Sequence, residues 1–103
     1  MNHVTTTHLR IRGRVQGVGY RAWLAREAER RGLKGWVRNR RDGSVEAVIF
    51  AAAPSLGDFI AACRRGPPAA NVAEVALNQE AAPAAETPGD AETPGDFAIR
   101  PTA

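Results

Sequence analysis

Over residues 8–31 the chain changes its hydrophobic period once, and that change limits what it can fold into. His8-Leu9-Arg10-Ile11-Arg12-Gly13-Arg14-Val15 alternates polar and apolar residues. Leu9, Ile11 and Val15 fall on one face and the three arginines on the other, the period-two pattern of a half-buried strand. Tyr20, Trp23, Leu24 and Ala28 then recur at helical spacing, and Gly32 stands where a glycine ends a helix. Glu27 precedes Arg31 by four residues, the favourable order for a surface ion pair. Between the two periods lies Gly13-Arg14-Val15-Gln16-Gly17-Val18-Gly19. The unit is a strand, a glycine-rich turn and a helix.

The rest of the chain repeats that grammar. A strand around Gly35–Arg40, the dipeptide Asp42-Gly43 and a strand Val45–Phe50 predict a hairpin, with both turn residues tolerating positive φ. A second helix opens near Pro54-Ser55, where Ser55 and Asp58 resemble a shortened capping box. Leu56, Phe59, Ile60 and Cys63 form its apolar stripe, and Gly66-Pro67-Pro68 stops it. Val72–Leu77 reads as a fourth strand and Phe97–Arg100 as a short fifth. The order β-α-β-β-α-β predicts an α+β, ferredoxin-like sandwich: a mostly antiparallel sheet of four to five strands with two helices on one face. Right-handed crossovers make the first two strands parallel with the third between them. That topology brings the glycine loop, Arg21 and Asn39 to one sheet edge.

At 103 residues there is room for one domain, expected over residues 8–103, with residues 1–7 a flexible N-terminus. Residues 80–96 are rich in Ala, Pro, Glu and Gly, and Ala85–Asp90 and Ala91–Asp96 both read A-E-T-P-G-D. Having no apolar period, this stretch reads as a flexible solvated loop. No apolar run approaches the roughly 18 residues of a membrane span, and the start lacks the pattern of a secretory signal. A cytoplasmic protein is expected. One cysteine and two histidines are too few for a structural zinc site, so no metal and no cofactor are expected. Residues 1–50 carry eleven Arg or Lys against four acids, and the remainder three against seven. The basic half suits an anionic partner, a small phosphate ester or a nucleic acid.

The glycine loop suits the smaller anion. Glycines let successive N–H groups turn inward, and a helix N-terminus adds unpaired N–H groups and a positive dipole. The spacing is neither a Walker A loop nor G-x-G-x-x-G. Arg21 falls in the first helical turn, the unfavourable end for a cation, at about 0.3–1 kcal/mol unless an anion offsets it. It is a bidentate phosphate ligand or a solvated surface arginine. Asn39 can hold a water by donor and acceptor together, or cap the neighbouring turn. His8 shares the parity of the outward arginines and reads as solvated. Cys63, on an apolar helix face, reads as a core residue.

G-R-V-Q-G-V-G-Y-R (Gly13–Arg21) and G-W-V-R-N-R-R-D-G-S-V-E (Gly35–Glu46) closely resemble the two signatures of acylphosphatases. The resemblance runs from about Leu9 to Leu77, with Phe97–Arg100 resembling the family's closing strand. It implies hydrolysis of acyl phosphates without a metal or a phosphoenzyme. Arg21 and the backbone N–H groups of Val15, Gln16, Gly17, Val18, Gly19 and Tyr20 would bind the phosphate, and Asn39 would orient the attacking water. The implied partner is a small acyl phosphate, met by a monomer with no nucleic acid and no membrane. The alternative is a ferredoxin-like RNA-binding module, although strands 1 and 3 lack the paired exposed aromatics of an RNA-recognition sheet.

Overall fold

The computed structural model describes residues 5–51, 56–81 and 97–103. Its elements are β1 (Thr5–Arg14), α1 (Tyr20–Arg30), β2 (Lys34–Asn39), β3 (Val45–Ala51), α2 (Leu56–Arg65), β4 (Asn71–Ala81) and β5 (Phe97–Ile99). They form one five-stranded sheet in the order β4-β1-β3-β2-β5. β1 is antiparallel to β3 and β4, and β2 is antiparallel to β3, which leaves β1 and β2 parallel as the crossover rule requires. β5 extends the sheet parallel to β2. The expected ferredoxin-like α+β sandwich is the fold observed.

One apolar layer joins sheet and helices. Leu9, Ile11, Val37, Val45 and Ile49 pack with Leu24 and Ala28 of α1 and with Phe59 and Cys63 of α2, which puts both helices on the same face. α1 ends as its sequence predicts. Gly32 takes φ 71° and donates to the Glu29 carbonyl at 3.0 Å, while Leu33 donates to Ala28 at 2.9 Å. Those two bonds make a Schellman turn, and the buried Leu33 supplies its apolar contact. Glu27 pairs with Arg31 at 3.1 Å and also with Arg30 at 2.7 Å.

Several boundaries differ from the sequence expectation. β1 begins at Thr5, so Thr5–Thr7 are strand rather than part of a flexible terminus; residues 1–4 lie outside the described residues. The cause is position. β1 is flanked by β3 and β4, and its first residues pair on both sides, Thr5 facing Ala51 and Ala81. Thr6 and Thr7 are buried there, and β-branched threonine suits a strand. By the same pairing β4 runs on to Ala81, so Glu80 and Ala81 belong to the strand and not to the 80–96 loop. Both copies of the six-residue repeat, and the start of the second helix at Pro54-Ser55, lie outside the described residues.

The hairpin stands, with a different turn. Gly43 is at φ 93° and no non-glycine residue among those described has positive φ, so Asp42 does not adopt it. Gly43 donates to Arg40 at 3.1 Å and Arg40 to Ser44 at 2.8 Å, the bonds of a three-residue loop closed by a glycine bulge. Asp42 braces this turn from its side chain, accepting from the Ser44 N–H at 2.9 Å and the Ser44 hydroxyl at 2.6 Å. Asn39 is therefore not the turn's cap.

The helix-free face is also partly closed. Trp36, Val48 and Phe50 form a second small cluster with Ala98. The guanidinium groups of Arg38 and Arg100 each lie 4.8 Å from the Trp36 ring centroid. His8 is not simply solvated: its Nε2 pairs with a Glu46 carboxylate oxygen at 2.5 Å. Arg38 and Arg40 donate to the other Glu46 oxygen at 2.8 and 3.1 Å. Burial alone would raise the Glu46 pKa, but hydrogen bonds from His8 and Arg38 and the Arg38 charge bring it down to about 2. A buried carboxylate thus gathers His8, Arg38 and Arg40 around it.

Candidate active site

β1 ends at Arg14, and the chain crosses to α1 through five residues. Gly17 and Gly19 adopt φ 75° and 78°, the left-handed conformation that a side chain disfavours. Gly19 is the N-cap of α1 and offers no side-chain hydrogen bond, and the first turn contains no acidic residue. The first N–H groups of α1 thus have neither an intrahelical acceptor nor a side-chain cap. They are a positive helix end aimed at whatever lies in front of it.

What lies in front is a cleft of about 230 Å³. Val15, Gly17, Gly19 and Tyr20 supply one side of it, and Arg21 and Ala22 come from the first turn of α1. Asn39 enters from the end of β2 and Ile99 from β5. Among the described residues the lining contains no carboxylate, imidazole or thiol. Arg10, Arg12, Arg30, Arg31, Arg38 and Arg40 all face carboxylates across ion pairs. Arg21 makes no ion pair among the described residues, so its charge stays in the cleft at the helix end that repels it.

Asn39 contributes a buried acceptor. Its Oδ1 is inaccessible to solvent and has no hydrogen-bond partner among the described residues. Its position is set by its backbone instead. The Asn39 carbonyl accepts from the Ala103 N–H at 3.0 Å, and the Arg41 N–H donates to the Ala103 carbonyl at 2.9 Å. Residues beyond β5 therefore continue the sheet pairing past the end of β2 and grip Asn39 from the outer side.

Of the loop residues expected at the site, Val15, Gly17, Gly19 and Tyr20 line the cleft, whereas Gln16 and Val18 are absent from its lining. Val18 packs against the main core. The Gln16 side chain turns to the hairpin and donates to the carbonyls of Arg40 at 2.7 Å and Ser44 at 2.8 Å. It stitches the glycine loop to the turn that follows Asn39. Tyr20 anchors the helix start: its hydroxyl donates to the Cys63 carbonyl at 2.7 Å, and its ring stacks obliquely on Trp23 with centroids 5.3 Å apart. Burial, then the neighbouring Cys63, raises the Tyr20 pKa, so the phenol is a neutral donor. Burial pushes the Cys63 thiol up to about 12, which keeps it protonated and unreactive.

Sequence reasoning did not find Gln16 as a side-chain strut, Ile99 as a cleft residue or Ala103 as a backbone clamp. Glutamine between two glycines could have suggested the first. Nothing local announces the other two.

Comparison with known proteins gives a consistent result. Residues 7–92 match the acylphosphatase family. The chain is 66% identical over 65 residues, covering 63% of it and 66% of the relative, to an acylphosphatase of Rhodopseudomonas palustris strain CGA009. It is 56% identical over 75 residues, covering 73% of it and 76% of the relative, to the acylphosphatase of strain BisB5. Among solved structures it resembles the acylphosphatase of Bacillus subtilis, with a TM-score of 0.80 and 30% identity over 93% of this chain and 98% of that one. The chain belongs to the acylphosphatase family.

Proposed function

We propose that this chain hydrolyses the carboxyl–phosphate bond of small acyl phosphates, releasing a carboxylate and inorganic phosphate. It does so as a cytoplasmic monomer, without a nucleic-acid partner or a metal. The observation that carries this reading is that Arg21 and Asn39, far apart in sequence, line one cleft at an uncapped helix N-terminus. No helix among the described residues is long and apolar enough to cross a membrane.

The chemistry follows from the reactant. An acyl phosphate is a mixed anhydride with a good carboxylate leaving group, so the protein has mainly to position and to stabilise charge. Arg21 holds two phosphate oxygens by parallel N–H···O bonds, and the N–H groups between Val15 and Tyr20 hold the remaining oxygens. The Asn39 side-chain amide, at the end of β2 in the cleft lining, donates to the oxygen of the attacking water and sets it in line with the breaking bond. The water oxygen bonds to phosphorus as the P–O bond to the acyl group breaks, and the acyl oxygen leaves with the electron pair as carboxylate. Among the described residues no carboxylate or imidazole lines the cleft, and the water's proton passes to a phosphate oxygen of the substrate.

The test is hydrolysis of benzoyl phosphate by the wild type and by Arg21→Ala. The wild type is expected to turn over and the variant to lose nearly all activity. Equal rates in the two proteins would remove Arg21, and this reading with it.

A further inference from the structure

The cleft, at about 230 Å³, is smaller than the roughly 300–1,000 Å³ pockets that enclose a drug-sized ligand. A phosphate seated against Arg21 and the start of α1 takes up much of that space. The acyl half of a substrate must then lie across the cleft mouth, against whatever side chains form it.

Among the described residues, apart from the buried Tyr20, two apolar side chains outside the glycine loop line this cleft: Ala22, exposed on the first turn of α1, and Ile99. Ile99 is 49% exposed, and Leu77 at 45% is the other large apolar residue so exposed among those described. They occupy opposite edges of the sheet, Leu77 on β4 and Ile99 on β5. A single exposed hydrophobic residue is ordinary on a protein surface, and Leu77 is one. Ile99 differs by its register. Parallel pairing sets it beside Val37, whose side chain is in the main core, so Ile99 points to the helix-bearing side two residues short of the Asn39 level. On an edge strand that direction leads into the cleft.

We propose that Ile99, with Ala22, is the wall against which the acyl group packs. The substrates are then acyl phosphates with an apolar acyl body, branched or aromatic, in preference to acetyl phosphate, carbamoyl phosphate or an aspartyl phosphate on a protein. The inference rests on the reading of this cleft as the place of acyl phosphate hydrolysis. Ile99 acts on specificity: it touches the part of the substrate that does not react, while the phosphate contacts stay with Arg21 and the loop.

The test compares kcat/KM for benzoyl phosphate and acetyl phosphate in Ile99→Val, Ile99→Thr and Leu77→Thr. Both Ile99 variants keep a β-branched residue on the edge strand, and the ratio of two substrates cancels any loss of folded protein. Ile99→Thr is expected to lower the benzoyl-to-acetyl ratio about three- to tenfold, with Ile99→Val between it and the wild type. In a closed pocket a methylene discriminates by roughly 10- to 200-fold, and a half-open wall gives less. Inhibition by inorganic phosphate should be the same in wild type and Ile99→Thr. Leu77→Thr should leave the ratio unchanged. An unchanged ratio in Ile99→Thr, or an equal shift in Leu77→Thr, overturns the acyl wall. A wild type that hydrolyses neither substrate overturns the acyl phosphate reading itself, and the wall falls with it.

Discussion

The side-chain amide nitrogen of Gln16 lies 2.7 Å from the carbonyl oxygen of Arg40, the residue that follows Asn39. This bond and its partner to Ser44 at 2.8 Å tie the loop beside Arg21 to the strand end bearing Asn39. Both acceptors keep a second bond when Gln16 is removed, Arg40 from Gly43 and Ser44 from Arg40. Gln16→Met, close in shape but without the donor, is therefore expected to cost only about 1–2 kcal/mol of stability. Turnover should suffer more, by tenfold or beyond, because an ångström of misplacement between phosphate and water can cost about a hundredfold. Denaturant unfolding and benzoyl phosphate kinetics on the same protein separate the two effects.

Glu46 makes the fold acid-sensitive in a definite window. Its carboxyl is held down at about 2 in the folded chain, against about 4.3 for an unperturbed glutamate. A group depressed by folding stabilises the native state above its unfolded pKa, and that contribution fades as pH falls through the folded value. The loss attributable to Glu46 should therefore run from about pH 4.3 down to pH 2. Glu46→Gln should be less stable at neutral pH, since Arg38 and Arg40 lose the opposing charge and one of the two acceptor oxygens shared with His8 becomes an NH2 donor. Its stability should fall less steeply across the window, which thermal unfolding at stepped pH can read. Parallel curves for the two proteins would show that Glu46 does not set the acid limit.

Asn39→Ala should separate function from folding. The Oδ1 it removes is buried with no partner among the described residues, and an unsatisfied buried acceptor costs about 1–3 kcal/mol. The backbone bond from Ala103 does not depend on the side chain. The variant is expected to be at least as stable as the wild type, to bind inorganic phosphate nearly as well and to lose most of its turnover. A clear drop in melting temperature would mean that the Asn39 side chain is structural.

The sheet and helices were legible because each rests on a local period: the alternation of Leu9 and Ile11, the stripe of Leu56, Phe59 and Cys63, and Gly32 at the end of α1. Topology rules alone place Arg21 and Asn39 at one sheet edge. What local reading missed depends on partners distant in sequence. Thr5–Thr7 become strand because β3 and β4 cover both sides. His8 turns from solvent to Glu46 across a strand pair. Asp42 favoured a positive φ by type, yet the bulge at Gly43 took up the twist alone. Ile99 and Ala103 reach the site through a parallel pairing with β2 that no composition or spacing announces.

Arg21→Lys separates a clamp from an attractor. Lysine retains the charge in the first turn of α1, so if Arg21 served only to draw anions into the cleft the substitution would cost little. A compact ammonium cannot make the two parallel N–H···O bonds of a guanidinium and leaves the phosphate free to turn within the loop. The water at Asn39 must be in line with the breaking bond, so a turning phosphate loses the reaction even while bound. Arg21→Lys is therefore expected to fail nearly as badly as Arg21→Ala in turnover, and to bind inorganic phosphate more weakly than the wild type. Neither variant should destabilise the fold by more than a few tenths of a kcal/mol, and removing the cation should relieve part of the roughly 0.3–1 kcal/mol it costs at the helix N-terminus. Turnover, competitive inhibition by phosphate and melting temperature are measured on all three proteins. A lysine variant with near wild-type turnover and phosphate affinity would leave Arg21 as one more cation in a basic half of the chain.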